Sequence, residues 1–242
     1  MSQGLEALRS MEYPGRVIII GKNPDGQDVV MYAITGRSPS SQARRLEIDD
    51  VNRNIYVKPT DEETLKTGQP ELLVYSAILY SNGVVVVGNG KQTEDINGYI
   101  TKEKLPVDVL LNGQLNWDYE PDEPNYTPRI SGCITDKGAA LSVIKRAEDG
   151  AVIKHYFDIP MIPGKGKLIA TYTGVNEKPL PSFAGEPFDV DLAAGSVEDS
   201  VEALYKALGP AEGAPDFRVV AASMFFNGKG NVAVKVKNRH DL

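Results

Sequence analysis

The chain of 242 residues is 41% hydrophobic and 24% charged, with a formal net charge of −7 at pH 7. Because no lysine or arginine stripe offsets the acidic residues, nucleic acid is not an expected partner. The longest uncharged apolar runs, such as Val84 to Val87, are far shorter than the about 20 residues that span a membrane. We therefore expect a cytoplasmic protein of one domain, residues 1–242, away from membranes. Its oligomeric state stays open, with a homo-oligomer among the outcomes.

Cysteine and histidine are scarce, which limits the chemistry of any site. Cys133 is the single cysteine, and His155 and His240 are the two histidines. These numbers exclude an internal disulfide framework and a cysteine cluster, and they argue against a histidine-rich zinc site. Cys133 lies in the strand-like stretch ISGCIT and is expected to be a small buried residue. We expect no metal and no cofactor, so that acid–base chemistry falls to Glu, Asp, Tyr, Lys or Arg.

Two β-hairpins are predicted in the first 90 residues. Arg16 to Lys22 and Val29 to Thr35 are β-rich runs on either side of an Asp-Gly turn. Leu72 to Tyr80 and Val84 to Gly88 are joined by Ser-Asn-Gly. The near-continuous apolar composition of the second pair predicts strands that are covered on both faces.

Serines and arginines gather directly after the first hairpin, in Gly36 to Arg45 (GRSPSSQARR). Hydroxyl groups, backbone amides and guanidinium forks together suit a phosphate, so that Arg37 and Ser38 are candidates for an anion-binding corner. A solvated loop is the alternative.

Gly88 to Asp95 (GNGKQTED) ends the second hairpin on two glycines, just before a predicted helix. Asn89, Gln92 and Thr93 lie where that helix starts, which suits an anionic or amide ligand, although a plain turn is the alternative. A second helix is expected around Asp108 to Leu115, with a break at Pro106.

Asn116 to Ser131 (NWDYEPDEPNYTPRIS) is the most unusual stretch, with four acids, three prolines, three aromatics and one arginine. Each proline fixes its own φ and biases the preceding residue toward an extended conformation. We expect a stiff, shaped loop, ordered before any ligand binds, that presents carboxylates, an amide and an arginine as a binding wall. A rigid surface connector is the alternative.

The second half of the chain returns to strands. ISGCIT, AALSVIK and AVIKHYFD predict a meander, and Phe217 to Phe226 with Asn231 to Val236 predict a final hairpin. Ser196 to Leu208 is predicted as a helix with Ser196 as N-cap and Asp199 at the capping-box position. Asn238 and Arg239 are expected in a solvated tail. Strands therefore dominate and pair mostly as antiparallel hairpins.

These stretches together resemble the archaeal-type inosine monophosphate (IMP) cyclohydrolases and their bacterial relatives. The resemblance rests on YPGR near the start, the Gly-Arg-Ser loop with a second arginine, VYSA, GNGKQT and above all DYEPDEPNYTPRI. It covers most of the chain. It implies an α+β fold, a four-layered αββα sandwich similar to N-terminal-nucleophile hydrolases. It also implies closure of 5-formamidoimidazole-4-carboxamide ribonucleotide to IMP with loss of water, the last step of purine synthesis.

The resemblance implies a set of site residues that bind a purine ribonucleotide. Tyr75 and Glu120 are assigned to proton transfer and Arg44 to the developing oxyanion, with Arg45 as an alternative to Arg44. A further set is assigned to substrate binding, with the two arginines on the phosphate: Arg37, Ser38, Asn89, Gln92, Thr93, Asn125, Thr127 and Arg129.

Two other functions are carried as alternatives. Ser2 would become the N-terminal residue after methionine removal, as in an N-terminal-nucleophile amidohydrolase. Ser76 and Gln92 stand where the archaeal pattern has Asn and His, which is compatible with a purine-nucleotide binding protein that lacks catalysis.

Overall fold

The computed structural model describes residues 5–228 and 230–241, and the described strands form two antiparallel sheets. The first sheet contains β1 (Arg16–Lys22), β2 (Asp28–Thr35), β10 (Lys165–Ala170), β11 (Phe188–Asp191), β12 (Arg218–Phe226) and β13 (Val232–Asn238). Their order across the sheet is β11-β10-β1-β2-β12-β13. The first predicted hairpin (β1 and β2) and the last (β12 and β13) are therefore confirmed, and they lie side by side.

The second sheet is a seven-stranded meander in chain order. Its first strand pair was not predicted as a hairpin, whereas the remaining strands follow the predicted pattern. The strand before Ser-Asn-Gly begins only at Tyr75, because Pro70 starts a helical turn. The strands are β3 (Arg44–Ile48), β4 (Ile55–Pro59), β5 (Tyr75–Ser81), β6 (Val84–Gly88), β7 (Arg129–Thr135), β8 (Gly138–Arg146) and β9 (Val152–Ile159).

The helices are short. The described ones are α1 (Glu6–Arg9), α2 (Pro39–Gln42), α3 (Glu62–Leu65), α4 (Pro70–Leu73), α5 (Gln92–Tyr99), α6 (Pro106–Gly113) and α7 (Val197–Ala207). Ser196 caps α7 in a capping box with Asp199, as predicted. Pro106 begins α6 instead of breaking it, because the first turn of a helix does not need the missing N–H. Among the described helices, none is long and apolar enough to cross a membrane.

The main core lies between the two sheets. Val85 and Val87 of β6 point into this core, whereas Val86 packs against Ile96 of α5 and Val109 of α6 on the opposite face. This alternation explains the continuous apolar run of β6, since both of its faces are covered. Cys133 lies in the helix-side cluster, and burial raises the pKa of its thiol well above the ordinary value.

Tight inter-sheet packing depends on a glycine in β7. A Cβ added at Gly132 would lie 2.5 Å from Cδ1 of Ile20 in the facing strand β1. In the neighbouring strand β2, Tyr32 points toward the second sheet, where its hydroxyl meets that of Tyr75. Met31, on the opposite face of β2, lines a separate cavity together with residues of α7. Helix α7 therefore covers the face of the first sheet that is turned away from the second.

The chain end near Asn238 is part of the fold, so the prediction of a solvated tail was wrong. Asn238 is buried, its Oδ1 accepts from Leu46 N at 2.8 Å, and its Nδ2 donates to Leu46 O at 3.2 Å. Arg239 donates to the backbone oxygen of Asp216 at 3.0 Å. A single side-chain amide thus connects the edge strand β13 of the first sheet to β3 of the second.

Candidate active site

The proline-rich segment between α6 and β7, residues 114–128, forms an ordered loop that places Glu120 in the interior. Glu120 N donates to Thr127 O at 2.9 Å, and Thr127 N donates to Asp122 Oδ1 at 2.6 Å. Asn125 N and Tyr126 N both donate to the backbone oxygen of Asp122, which closes a tight turn. The acidic residues therefore have unequal roles: Asp122 holds the loop together, and Glu120 is left to face inward.

A cavity of about 260 Å³ lies between this loop and the serine and arginine segment after β2. Its volume is just below the about 300–1,000 Å³ of typical small-molecule sites. Six of the residues predicted from the sequence line it: Arg37, Ser38, Arg44, Glu120, Asn125 and Thr127. Further lining side chains come from Tyr13, Arg16, Thr35, Ser40, Ser41, Gln69, Leu72, Leu73, Asp122, Tyr172 and Leu180.

Glu120 is 1% exposed and has two polar neighbours. Arg16 Nη2 lies 3.6 Å from Glu120 Oε2, and Asn89 Nδ2 donates to Glu120 Oε1 at 3.3 Å. Burial raises the pKa of Glu120 to about 7, although the charges of Arg16 and Arg129 act in the opposite direction. A carboxyl group in this state is suited to both accept and release a proton near neutral pH.

Arg44 is fully enclosed, and β3 explains why it, and not Arg45, belongs to the site. The strand alternates, so that Arg44 and Leu46 point inward while Arg45 is exposed and pairs with Glu47. Arg44 Nε donates to Ser41 O at 2.8 Å, and its Nη1 has no hydrogen-bond partner among the described residues. Burial lowers the pKa of the Arg44 guanidinium, and the charge of Arg16 lowers it further.

Two tyrosine hydroxyls meet at the same end of the core. Tyr32 and Tyr75 lie 2.7 Å apart, oxygen to oxygen, and both side chains are buried. Burial raises the pKa of Tyr32 well above the ordinary value, and the neighbouring Tyr75 adds to the effect. Arg16 and Arg44 both interact electrostatically with this pair. Tyr75 itself is behind the cavity wall and not among its lining residues.

The other predicted residues form a buried network behind Glu120. Asn89 Oδ1 accepts from Gln92 Nε2 at 2.9 Å and from Ile130 N at 2.8 Å. Arg129 Nη1 donates to Gln92 Oε1 at 3.1 Å, and the Arg129 guanidinium lies over the Trp117 ring. Burial lowers the pKa of Arg129, while Glu120 acts in the opposite direction.

Thr93 belongs to the same region, since its hydroxyl donates to Gly90 O at 2.7 Å. Asn89, Gln92, Thr93 and Arg129 are thus grouped together near Glu120, but they are absent from the lining of the cavity. The structure therefore divides the predicted site residues into a wall facing the cavity and a network behind it.

Arg16 lines the cavity but was not among the site residues predicted from the sequence. Its motif YPGR held a signal, because Gly15 has φ of +76° and a Cβ there would lie 2.1 Å from Thr171 Oγ1. A side chain at position 15 would clash with its neighbours, so a glycine is required there and the backbone before Arg16 is held in one conformation. Tyr172, whose hydroxyl meets that of Thr127, and Tyr13, under the Arg37 guanidinium, were also missed.

Ser2 and Ser76 belong to the alternative hypotheses, and of these two the structure describes Ser76. Ser2, the candidate N-terminal nucleophile, lies outside the described residues. Ser76 donates to Glu94 Oε1 at 2.8 Å, so that it ties β5 to α5. Among the described residues, no three His, Cys, Asp or Glu side chains are grouped as metal ligands.

Comparison with known protein families identifies the family of this chain. The model of the family described as "IMP cyclohydrolase-like protein" matches residues 13–229, which include all the cavity residues named above. The chain belongs to this family. The match begins at Tyr13, at the YPGR motif, and extends through both sheets to the turn before β13.

Archaeal members of the IMP cyclohydrolase-like family are similar over most of the length. An IMP cyclohydrolase of Methanosphaera stadtmanae is 28% identical over 193 residues, which is 80% of this chain and 85% of the relative. One from Natronomonas pharaonis is 27% identical over 217 residues, covering 90% of this chain and 100% of the relative. One from Methanococcus aeolicus is 28% identical over 161 residues, covering 66% and 74%.

Proposed function

We propose that this protein closes 5-formamidoimidazole-4-carboxamide ribonucleotide to IMP with loss of water. Membership of the IMP cyclohydrolase-like family and the archaeal relatives named IMP cyclohydrolase support this function. The observation that carries it is a buried carboxyl group, Glu120, with a pKa of about 7, in the wall of a cavity that also holds arginines. Such a group can move protons in both directions near neutral pH.

The reaction sets three chemical demands. The carboxamide nitrogen is a weak nucleophile, so it must be held close to the formyl carbon. The formyl oxygen becomes negatively charged as the new C–N bond forms and needs a hydrogen-bond donor. Two substrate N–H protons must then leave, one from the carboxamide nitrogen and one from the formamido nitrogen, as the former formyl oxygen departs in water.

Glu120 meets the proton demand directly. As a carboxylate it accepts the proton of the attacking carboxamide nitrogen, and as a carboxylic acid it protonates the leaving hydroxyl group. The proximity of Arg16 favours the charged form, while burial favours the neutral one, which keeps both accessible.

Arg44 acts from the cavity wall, and Tyr75 lies close to it, outside the set of lining residues. Arg44 stabilises the developing oxyanion, since its Nη1 has no acceptor within the described protein. Tyr75 gives its phenol proton to the formyl oxygen and regains one from the formamido nitrogen, which requires its hydroxyl, 2.7 Å from that of Tyr32, to reach the bound substrate.

Substrate binding is divided between the mouth and the interior. Arg37 is half-buried and Ser38 is exposed at the mouth, and both suit the phosphate, whereas Asn125 and Thr127 suit the base and ribose. Asn89 and Gln92 were predicted to contact base and ribose, Thr93 to contact the substrate and Arg129 to contact phosphate, and these contacts remain predictions. Their position behind Glu120 supports a role in holding the wall in place.

We further propose that the chain is one domain with the four-layered αββα sandwich of N-terminal-nucleophile hydrolases. The packing of α5 and α6 on one sheet and α7 on the other supports this assignment. The protein acts in the cytoplasm on a free nucleotide, without nucleic acid. A homo-oligomer stays an option that the size of the protein in solution would decide.

The alternatives are less well supported. Neither amidohydrolysis by Ser2 nor nucleotide binding without catalysis is favoured by a family and relatives named for IMP cyclisation. Deleting the residues before Leu5 tests the first alternative, because unchanged turnover excludes a role for Ser2.

The decisive experiment mixes purified protein with the formamido ribonucleotide and follows the ultraviolet absorbance of the hypoxanthine ring. We expect multiple turnovers for the wild type and a loss by orders of magnitude in both Tyr75→Phe and Glu120→Gln, with folding intact by circular dichroism. Absence of turnover with tight binding of IMP would instead support the non-catalytic alternative.

A further inference from the structure

The guanidinium of Arg16 is buried without a hydrogen bond to any described residue. Arg16 is 8% exposed and lines the cavity, yet its Nε has no partner. It forms an ion pair with Glu120, but Nη2 lies 3.6 Å from Oε2, which is too long for a hydrogen bond. An arginine presents five N–H donors, so Arg16 holds an unused set of donors at the cavity wall.

Other arginines near the cavity do not share this feature. Arg37 donates to Asn176 Oδ1 at 2.8 Å and to Glu177 O at 3.1 Å. Arg44 donates through Nε to Ser41 O, and Arg129 through Nε to Asp118 O at 2.8 Å. Arg16 therefore differs from these arginines, because its charge is paired with Glu120 but none of its N–H donors has an acceptor among the described residues.

Leaving charged donors buried and unpaired costs free energy, and proteins rarely tolerate it without a reason. The backbone before Arg16 is held by Gly15, whose N donates to Thr35 Oγ1 at 3.0 Å, and Arg16 N donates to Thr171 Oγ1 at 3.1 Å. The backbone at the start of β1 is thus held in place, and the Arg16 guanidinium lies in the cavity wall. A bound ligand can supply the missing acceptor.

We propose that Arg16 is a catalytic residue that, together with Arg44, donates hydrogen bonds to the formyl oxygen of the bound substrate. This assignment rests on the proposed function and deepens it by naming the donor next to the base. Arg16 and Glu120 then act as a pair: the guanidinium attracts the oxygen on which charge develops, and the carboxylate 3.6 Å away takes the proton of the attacking nitrogen.

The proton and electron balance follows from this placement. The carboxamide nitrogen forms a bond to the formyl carbon and gives one proton to Glu120, while the C=O electron pair moves to the oxygen held by Arg16. That oxygen takes up the phenol proton of Tyr75 to become a hydroxyl group. It then leaves as water with the proton held by Glu120, as the formamido nitrogen returns a proton to Tyr75 and forms the ring C=N bond. Arg16 keeps its own protons throughout.

The test compares wild type with Arg16→Lys, which keeps the positive charge beside Glu120 but removes the planar fork of donors. The control is Arg45→Lys, an exposed arginine paired with Glu47 outside the cavity. We expect kcat of Arg16→Lys to fall about 10²- to 10³-fold, in line with the loss of an oxyanion donor. KM and the midpoint of the pH–rate profile should change little, because the charge facing Glu120 remains. The control should match wild type.

Several outcomes would overturn the assignment. If kcat of Arg16→Lys stays within about fivefold of wild type, Arg16 supplies charge only. If KM rises while kcat is unchanged, it binds substrate without acting on the transition state. If the wild type itself does not turn over, the proposed function fails, and the assignment fails with it.

A second measurement covers the case in which Arg16→Lys does not fold. Millimolar guanidinium should raise the kcat of Arg16→Ala at least about tenfold over its value without the additive. Ethylammonium should not, because only the planar cation reproduces the fork of donors. Equal rescue by both cations, or by neither, would contradict a donor role for Arg16.

Discussion

Two clusters of buried polar side chains lie on either side of Glu120, and they differ in how well their hydrogen bonds are satisfied. In the network of Asn89, Gln92 and Arg129, each amide group has at least one partner inside the protein. In the cavity cluster, Arg16 Nε and Arg44 Nη1 have none among the described residues. Both clusters are similarly buried, so burial alone does not separate them.

This difference indicates that the network stabilises the fold, whereas the cavity cluster has donors available to bind a ligand. Buried donors that are paired within the protein rigidify it, whereas unpaired ones represent a cost that a bound substrate can remove. Glu120 joins the two, since it meets Asn89 on one side and Arg16 on the other. Substitutions should therefore affect turnover on the cavity side and stability on the network side.

The largest effect is expected at the residue shared by both clusters. Glu120→Gln retains the shape and a hydrogen-bonding group but cannot accept a proton, so we expect kcat to fall by about 10² to 10⁴. For wild type, kcat/KM should rise with pH through about 7, the pKa of Glu120, as the carboxylate forms. Rapid-mixing and steady-state assays across pH 5.5–8.5 measure both. A variant with more than a tenth of wild-type kcat would remove Glu120 from proton transfer.

The same pKa predicts a pH-dependent stability. The carboxyl group of Glu120 titrates near 4.5 when exposed and near 7 when folded. Its neutral form therefore favours folding at low pH, and this contribution is lost as pH rises through 7. From pH 5 to 8, wild type should lose about 2 to 3 kcal/mol relative to Glu120→Gln. Urea unfolding of both proteins at each pH measures the difference, and parallel pH profiles would show that Glu120 titrates normally.

Most of the fold was accessible from the sequence because its signals are local. The Asp-Gly and Ser-Asn-Gly turns delimit β1, β2, β5 and β6, and the Ser196 capping box marks the start of α7. The inward position of Glu120 followed from a loop that its prolines and Asp122 define within 15 residues. The choice between Arg44 and Arg45 stayed open from the sequence, because strand β3, in which Arg44 points inward, was not predicted.

What the sequence did not reveal depends on contacts between distant segments. Arg16 resembles any charged residue at the start of a strand until β1 brings it to Glu120, more than a hundred positions away. Asn238 was read as tail because its partner, Leu46, is 192 positions earlier. The separation of wall from network likewise rests on hydrogen bonds between Asn89 and Pro128 or Gln92 and Arg129, which no local pattern encodes.

A substitution inside the network should have the reverse signature of Glu120→Gln. Gln92→Leu removes the acceptor of Arg129 Nη1 and one donor to Asn89 Oδ1, so we expect a loss of about 1 to 3 kcal/mol in the free energy of unfolding. Turnover of the folded variant should stay within about tenfold of wild type. Chemical denaturation and kinetics on the same samples test this. A large loss of kcat with normal stability would place Gln92 against the substrate, as the resemblance implied.

The smallest effect is expected at the mouth, where Arg37 is half-buried and already has protein partners in Asn176 and Glu177. A bound phosphate there gains one charge-assisted contact in a partly solvated setting, so Arg37→Gln should raise KM about three- to tenfold and leave kcat unchanged. Because exposed charges are screened, the ratio of the two KM values should shrink between 50 and 500 mM salt. Arg45→Gln, on the exposed face of β3, is the matched control. A salt-independent fall in kcat would instead show that Arg37 acts on the reacting atoms. Arg37 would then belong with Arg16 and Arg44 in the cavity cluster.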